Sequence, residues 1–162
     1  MNNKKGFTLI ELLVVIAIIG LLSTLAVVAL NNARTKSRDA RRMSDIKQIQ
    51  TALELFVNDR GVYPTHSTVA TGCDTGFFQI SGMCISTGNA VLAATCPASP
   101  AVTYMAAAPF DPNSGTTVVP YCYRADGTAP YTTYSLNYSL EGATANLASG
   151  DHWATPAGIA NP

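Results

Sequence analysis

The sequence predicts an α+β chain: one long N-terminal α-helix whose second half packs against a small antiparallel β-sheet head. Three observations predict it. An apolar run extends from Phe7 to Leu30, with Glu11 as its only charge. Beyond it, Ala40, Met43, Ile46, Ile49, Leu53, Phe56 and Val57 step by three or four, with no proline before Pro64. That is the period of a helix burying one stripe. Late in the chain, Tyr134, Leu136, Tyr138 and Leu140 alternate with Ser135, Asn137 and Ser139, the period of a half-buried strand.

Residues 7–30, as a helix, rise about 36 Å against a hydrocarbon core of about 30 Å. No small-x-small cleavage site follows the run closely, so it reads as a retained transmembrane helix, not an ordinary secretory signal. Glu11 does not fit a plain anchor. A carboxylate in lipid costs about 2.5 kcal/mol or more near a helix centre, and less toward its end. Residues 31–60 read as an amphipathic continuation. Arg38, Arg41, Arg42 and Asp45 fall on a neighbouring solvated face, with Arg41–Asp45 an i,i+4 pair. The poor helix formers Asn31 and Asn32 mark a place where the helix can break. Gly61 suits a C-cap, and Pro64 forbids continuation.

Residues 61–162 form the head. Thr65 to Pro100 reads as irregular, punctuated by Gly72, Gly76, Gly82 and Gly88. A first strand is expected over Thr117–Arg124, with Val119, Tyr121 and Tyr123 on one face. A loop from Arg124 to Pro130, holding Asp126-Gly127, leads to the Tyr134–Leu140 strand. A third strand comes from Val102–Ala106 or from Ala143–Leu147. Gly150 to Pro162 reads as a tail, pinned by Trp153.

The 10 basic and 10 acidic residues balance, so net charge argues neither for nucleic acid nor for acidic substrates. Their distribution is uneven. Residues 31–60 hold seven basic and four acidic residues, whereas 61–162 hold Arg124 against five acidic ones. The charge-poor head, rich in Ser, Thr, Gly, Ala and Tyr, suits a surface exposed outside the cell or packed on like subunits. Cys73, Cys84, Cys96 and Cys122 all follow the helix. An even count in an exported domain points to two disulfides, with three pairings open. Neighbour pairing, Cys73–Cys84 with Cys96–Cys122, is the expectation. A zinc site lacks its C-x-x-C pair.

The basic residues ending in Gly6, followed by FTLIELLVVIAIIG with Glu11 fifth after the glycine, resemble the N-terminus of type IV pilins and type II secretion pseudopilins. The resemblance implies a prepilin leader, residues 1–6, cut by prepilin peptidase between Gly6 and Phe7, with methylation of Phe7. It implies that Glu11 meets the N-terminal amine of a neighbouring copy during assembly. Its implied partners are further copies or related pilins in a helical filament, the assembly machinery of a pilus or secretion system, and the cytoplasmic membrane. The head is then outside the cytoplasm, and later on a surface pilus or a periplasmic pseudopilus. Lys4 and Lys5 agree with that orientation. Arg34, Lys36, Arg38, Arg41 and Arg42 on the other flank oppose it by charge count, so the signature and the cysteines carry the assignment. Many pilins have a proline inside this apolar half; here Gly20, Ser23 and Thr24 are the interior irregularities. Ser44–Pro64 resembles the end of the major pseudopilin helix, so a pseudopilin stays open beside a pilin. A membrane-anchored binding module that does not assemble is the alternative of another class.

Other chemistry is sparse. Asp111-Pro112 resembles an Asp-Pro loop of the family, in which pseudopilins hold calcium. Asp111, Asn113 and Asp126 are therefore calcium candidates, beside the plainer account of a proline turn with an Asx contact. Arg34–Arg42 could touch phosphates of lipid or DNA, but a solvated or intersubunit ion-paired face explains it more simply. His66 and His152 read as surface residues. No nucleophile–base arrangement, phosphate loop or paired carboxylates appears in the sequence, so no enzyme, cofactor or dedicated metal site is expected.

Overall fold

The computed structural model describes residues 6–65, 73, 76–87, 92–97, 102–113, 120–144 and 146–160. One helix, α1, runs from Leu9 to Arg60 and is roughly 78 Å long at about 1.5 Å per residue. It passes through Gly20 and through Asn31-Asn32 without interruption. Inside the apolar half, the Ser23 hydroxyl donates to the Ile19 carbonyl at 2.7 Å and that of Thr24 to Leu21 at 2.8 Å. Both polar groups are thus satisfied within the helix, as an apolar surrounding requires. Gly61 closes α1 at φ 73°, its N–H reaching the Val57 carbonyl at 2.7 Å. A side chain in that left-handed conformation would be strained.

The head contains β1 (Phe78–Gln79), β2 (Ile85–Ser86), β3 (Thr103–Met105), β4 (Cys122–Asp126), β5 (Thr133–Leu140), β6 (Gly150–Thr155) and β7 (Gly158–Ala160). The main sheet is antiparallel in the order β1-β4-β5-β6-β7, and β2 pairs with β3 separately. Registers include Tyr123 opposite Leu136, and Leu136 opposite Ala154. These three residues face α1 with Tyr121, Tyr134, Tyr138 and Leu140, packing on Ile46, Ile49, Leu53 and Phe56. Burial of these apolar surfaces is the main force joining helix to sheet. Two of these tyrosines place their hydroxyls on oxygen partners: Tyr123 donates to the Pro64 carbonyl at 2.7 Å and Tyr121 to Asp45 at 3.1 Å.

Several expectations need correction. Gly150–Pro162 is not a tail, since β6 and β7 form a hairpin within the sheet and Ala154 is fully buried. Trp153 lies on the opposite face, against Phe77 with ring centroids 5.2 Å apart. Val102–Ala106 does yield a strand, but outside the main sheet, while 143–147 gives only a Thr144–Leu147 bridge. The first strand is shifted to Cys122–Asp126, and the irregular stretch contains the short β1 and β2. Cysteine pairing is Cys73–Cys122 and Cys84–Cys96, not neighbour with neighbour. The pairing of β1 with β4 brings the segment after Cys73 alongside Cys122, an arrangement that sequence order does not reveal. Ala40 is exposed, and the stripe begins instead with Asp39 and Arg42. His152 is buried, its Nε2 2.8 Å from the Ala148 carbonyl. Residues 1–5, Val119, His66, Gly72 and Gly88 lie outside the described residues.

Candidate assembly site on the N-terminal helix

Thr8 is the N-cap of α1, and Glu11 is the third residue of its first turn. The Thr8 hydroxyl accepts from the Glu11 N–H at 3.3 Å. In return, Glu11 Oε2 accepts from the Thr8 N–H at 2.8 Å and from the Thr8 hydroxyl at 2.6 Å. This reciprocal capping box satisfies donors that a helix start leaves open, and the positive end of the helix dipole favours a carboxylate there. Among the described residues no ion pair forms at Glu11. Phe7, immediately before the cap, is 84% exposed. The two residues on which processing and assembly are expected to turn, Phe7 and Glu11, therefore lie four positions apart around the start of α1. Behind them, every residue from Phe7 to Leu30 is exposed, on a helix long and apolar enough to cross a membrane.

Where the apolar half ends, residues 31–34 are bare on all sides, and the head first approaches at Thr35 and Asp39, close to Gly142. Here the expected solvated basic face is largely consumed by the head. Arg42, 1% exposed, donates to Asp39 at 2.6 Å, to Asp111 at 2.6 and 3.0 Å, and lies 2.8 Å from Glu141. Asp39 accepts further from the Glu141 and Gly142 N–H groups at 3.0 and 2.8 Å. Arg38 grips Glu141 through Nε at 2.8 and 3.1 Å, and through a second nitrogen. Burial works against the Arg42 charge, but bonds to Asp111, Glu141 and Asp39 hold its pKa above the ordinary value. Chiefly through its bond to Arg38, the Glu141 carboxyl falls to about 2. The cluster ties α1 to the Asp111 loop and to the end of β5. Sequence phase could have found it, because Asp39 and Arg42 precede Ile46 and Ile49 at helical spacing on one stripe.

The carboxylates among the calcium candidates are engaged by other protein groups. Asp111 is taken by Arg42, and the Asn113 N–H donates to Asp111 Oδ1 at 2.8 Å, an Asx contact beside Pro112. Asp126 is bound instead by Arg124 and Ser135. Among the described residues no group of three or more His, Cys, Asp or Glu could hold a metal.

Residues 1–27 match the model of the prokaryotic N-terminal methylation motif. The N-terminus is of the prepilin type. The chain is 39% identical over 64 residues to the type II secretion system core protein G of Escherichia coli K12, covering 40% of this chain and 44% of that protein. It is 46% identical over 56 residues to the type IV major fimbrial protein FimA of Dichelobacter nodosus, covering 35% and 36%. With the core protein G of Vibrio cholerae, identity is 35% over 65 residues, covering 40% and 44%. The chain thus spans less than half the length of each of these relatives. No solved structure matches it. A long apolar helix packed on a small antiparallel sheet agrees with a pilin or pseudopilin fold.

Proposed function

We propose that this prepilin-type chain is a structural subunit of a type IV pilus-like filament. Prepilin peptidase removes residues 1–6 by cutting between Gly6 and Phe7, and Phe7 becomes the methylated N-terminus. The supporting observation is the motif of residues 1–27 on a helix whose apolar half is exposed throughout. Before assembly, residues 7–30 sit in the cytoplasmic membrane with the head outside the cytoplasm. In the filament these segments bundle, exchanging lipid contacts for contacts with like helices. Glu11 meets the Phe7 amine of a neighbouring copy, and the nearby cation offsets the cost of a carboxylate in an apolar surrounding. The further partners are the assembly machinery and related pilins.

Electron microscopy of sheared surface filaments, with intact-mass measurement of their subunits, tests this. The expected mass begins at methylated Phe7. Filaments lacking the chain, or containing it from Met1, overturn the reading. A second reading, a pseudopilin whose short filament serves secretion, is favoured by the identity with core protein G. Under it, deleting the gene abolishes protein secretion and leaves surface filaments unchanged.

A further inference from the structure

Between the apolar run and the head, residues 31–34 of α1 form a bare neck that rises about 6 Å. A bilayer about 30 Å thick in hydrocarbon and about 40–45 Å overall leaves roughly 5–7 Å for each headgroup layer. The neck therefore has the thickness of one such layer. Its depth agrees as well. Leu12–Leu30 rise about 28 Å, so with the Glu11 carboxylate at one boundary of the hydrocarbon, Leu30 ends at the other.

The neck is polar and cationic. Asn31, Asn32, Arg34 and, just above them, Lys36 are exposed. Among the described residues, no ion pair involves Arg34 or Lys36. The next carboxylates along α1, Asp39 and Asp45, are 0% and 6% exposed, and Asp39 is held by Arg42. Asp111 and Glu141, which the head brings to this end of α1, are bonded to Arg42 and Arg38. At about 100° per residue, Arg34 and Lys36 point roughly 200° apart around the helix. A single neighbouring helix, or a flat partner, could meet only one of them. A headgroup layer surrounds the helix and meets both.

We propose that the neck is a collar for phospholipid headgroups of the leaflet facing the head, in which Arg34 and Lys36 donate to lipid phosphates and select anionic lipids. The inference rests on the membrane-spanning stage of the filament reading, and adds to it the lipid chemistry that the chain holds before assembly. The attraction is that of cations to an anionic surface, and it fades within a Debye length. Lys47, roughly 25 Å above Leu30, stands clear of the layer.

Lipid selectivity tests it. The full chain is placed in phosphatidylcholine vesicles that carry a trace of spin-labelled phosphatidylglycerol or spin-labelled phosphatidylcholine, and electron paramagnetic resonance reads the fraction of each label held at the protein. The unmodified chain is expected to prefer phosphatidylglycerol by about twofold or more. Arg34→Gln combined with Lys36→Gln is expected to remove about half of that excess or more, Arg34→Lys to keep it, and Lys47→Gln to leave it unchanged. No preference in the unmodified chain, an unchanged ratio in the double variant, or an equal fall in Lys47→Gln overturns the inference. A double variant that keeps its lipid ratio but loses binding to duplex DNA overturns it too, and makes nucleic acid the partner. Release of the unmodified chain from the vesicles by alkaline carbonate would overturn the membrane-spanning reading itself, and the inference with it.

Discussion

Replacing Arg42 by methionine would keep much of its bulk but leave Asp39 and Asp111 buried with no cation between them. Breaking a buried pair from one side costs about 3–5 kcal/mol, mostly as the penalty of the abandoned charge. Chemical denaturation of the full chain in detergent should show a loss of that size. Changing all three partners to apolar groups together would cost far less. Glu141 gives the same cluster a pH dependence. Its folded pKa of about 2 lies below the ordinary glutamate value of 4.5. Its contribution is therefore complete above pH 4.5 and is lost as pH falls from there toward 2. The denaturation midpoint should drop over that window, and Glu141→Gln should flatten the drop. Part of the carboxylate is solvated, so the amplitude will be smaller than for a fully buried ion pair.

The β6–β7 hairpin makes a sharp test of how the head holds together. Truncation after Ser149 would be harmless to a tail, but here it removes His152 and Ala154 from the core and bares the β5 edge. The expected result is a head that no longer unfolds cooperatively and associates through that unpaired edge. Near-ultraviolet circular dichroism and light scattering would register both changes. The hairpin also shows where the sequence is readable. Helix α1 and strand β5 were legible because their burial follows strict periods, at Ile46–Phe56 and Tyr134–Leu140. In β6 the inward positions are His152 and Ala154, one polar and one small, so no alternation of large apolar residues announces the strand. Likewise Arg42 and Asp39 occupy the buried stripe, where their charge suggested solvent. The disulfide pairing followed from which strands lie side by side, information that spacing along the chain does not contain. The N-terminal motif matched over residues 1–27 was legible because it is local and requires no tertiary structure.

For the whole molecule, the informative substitution is a pair at Glu11. Glutamine retains the shape and hydrogen bonding of a capping box without the charge, whereas leucine removes both. If assembly depends on the charge, Glu11→Gln and Glu11→Leu should both insert, lose their leader and fail to enter filaments. If it depends on the helix start, Glu11→Gln should assemble normally. Immunoblots of sheared filaments against membrane fractions separate the two. The capping geometry bears on how one side chain could serve both ends. Both bonds from Thr8 fall on Oε2, and among the described residues Oε1 accepts none. The carboxylate is therefore divided in its duties: one oxygen secures the start of its own helix, and the other is available to a donor from outside. An incoming amine need not displace Thr8, so a subunit could be joined to the next without unwinding its first turn.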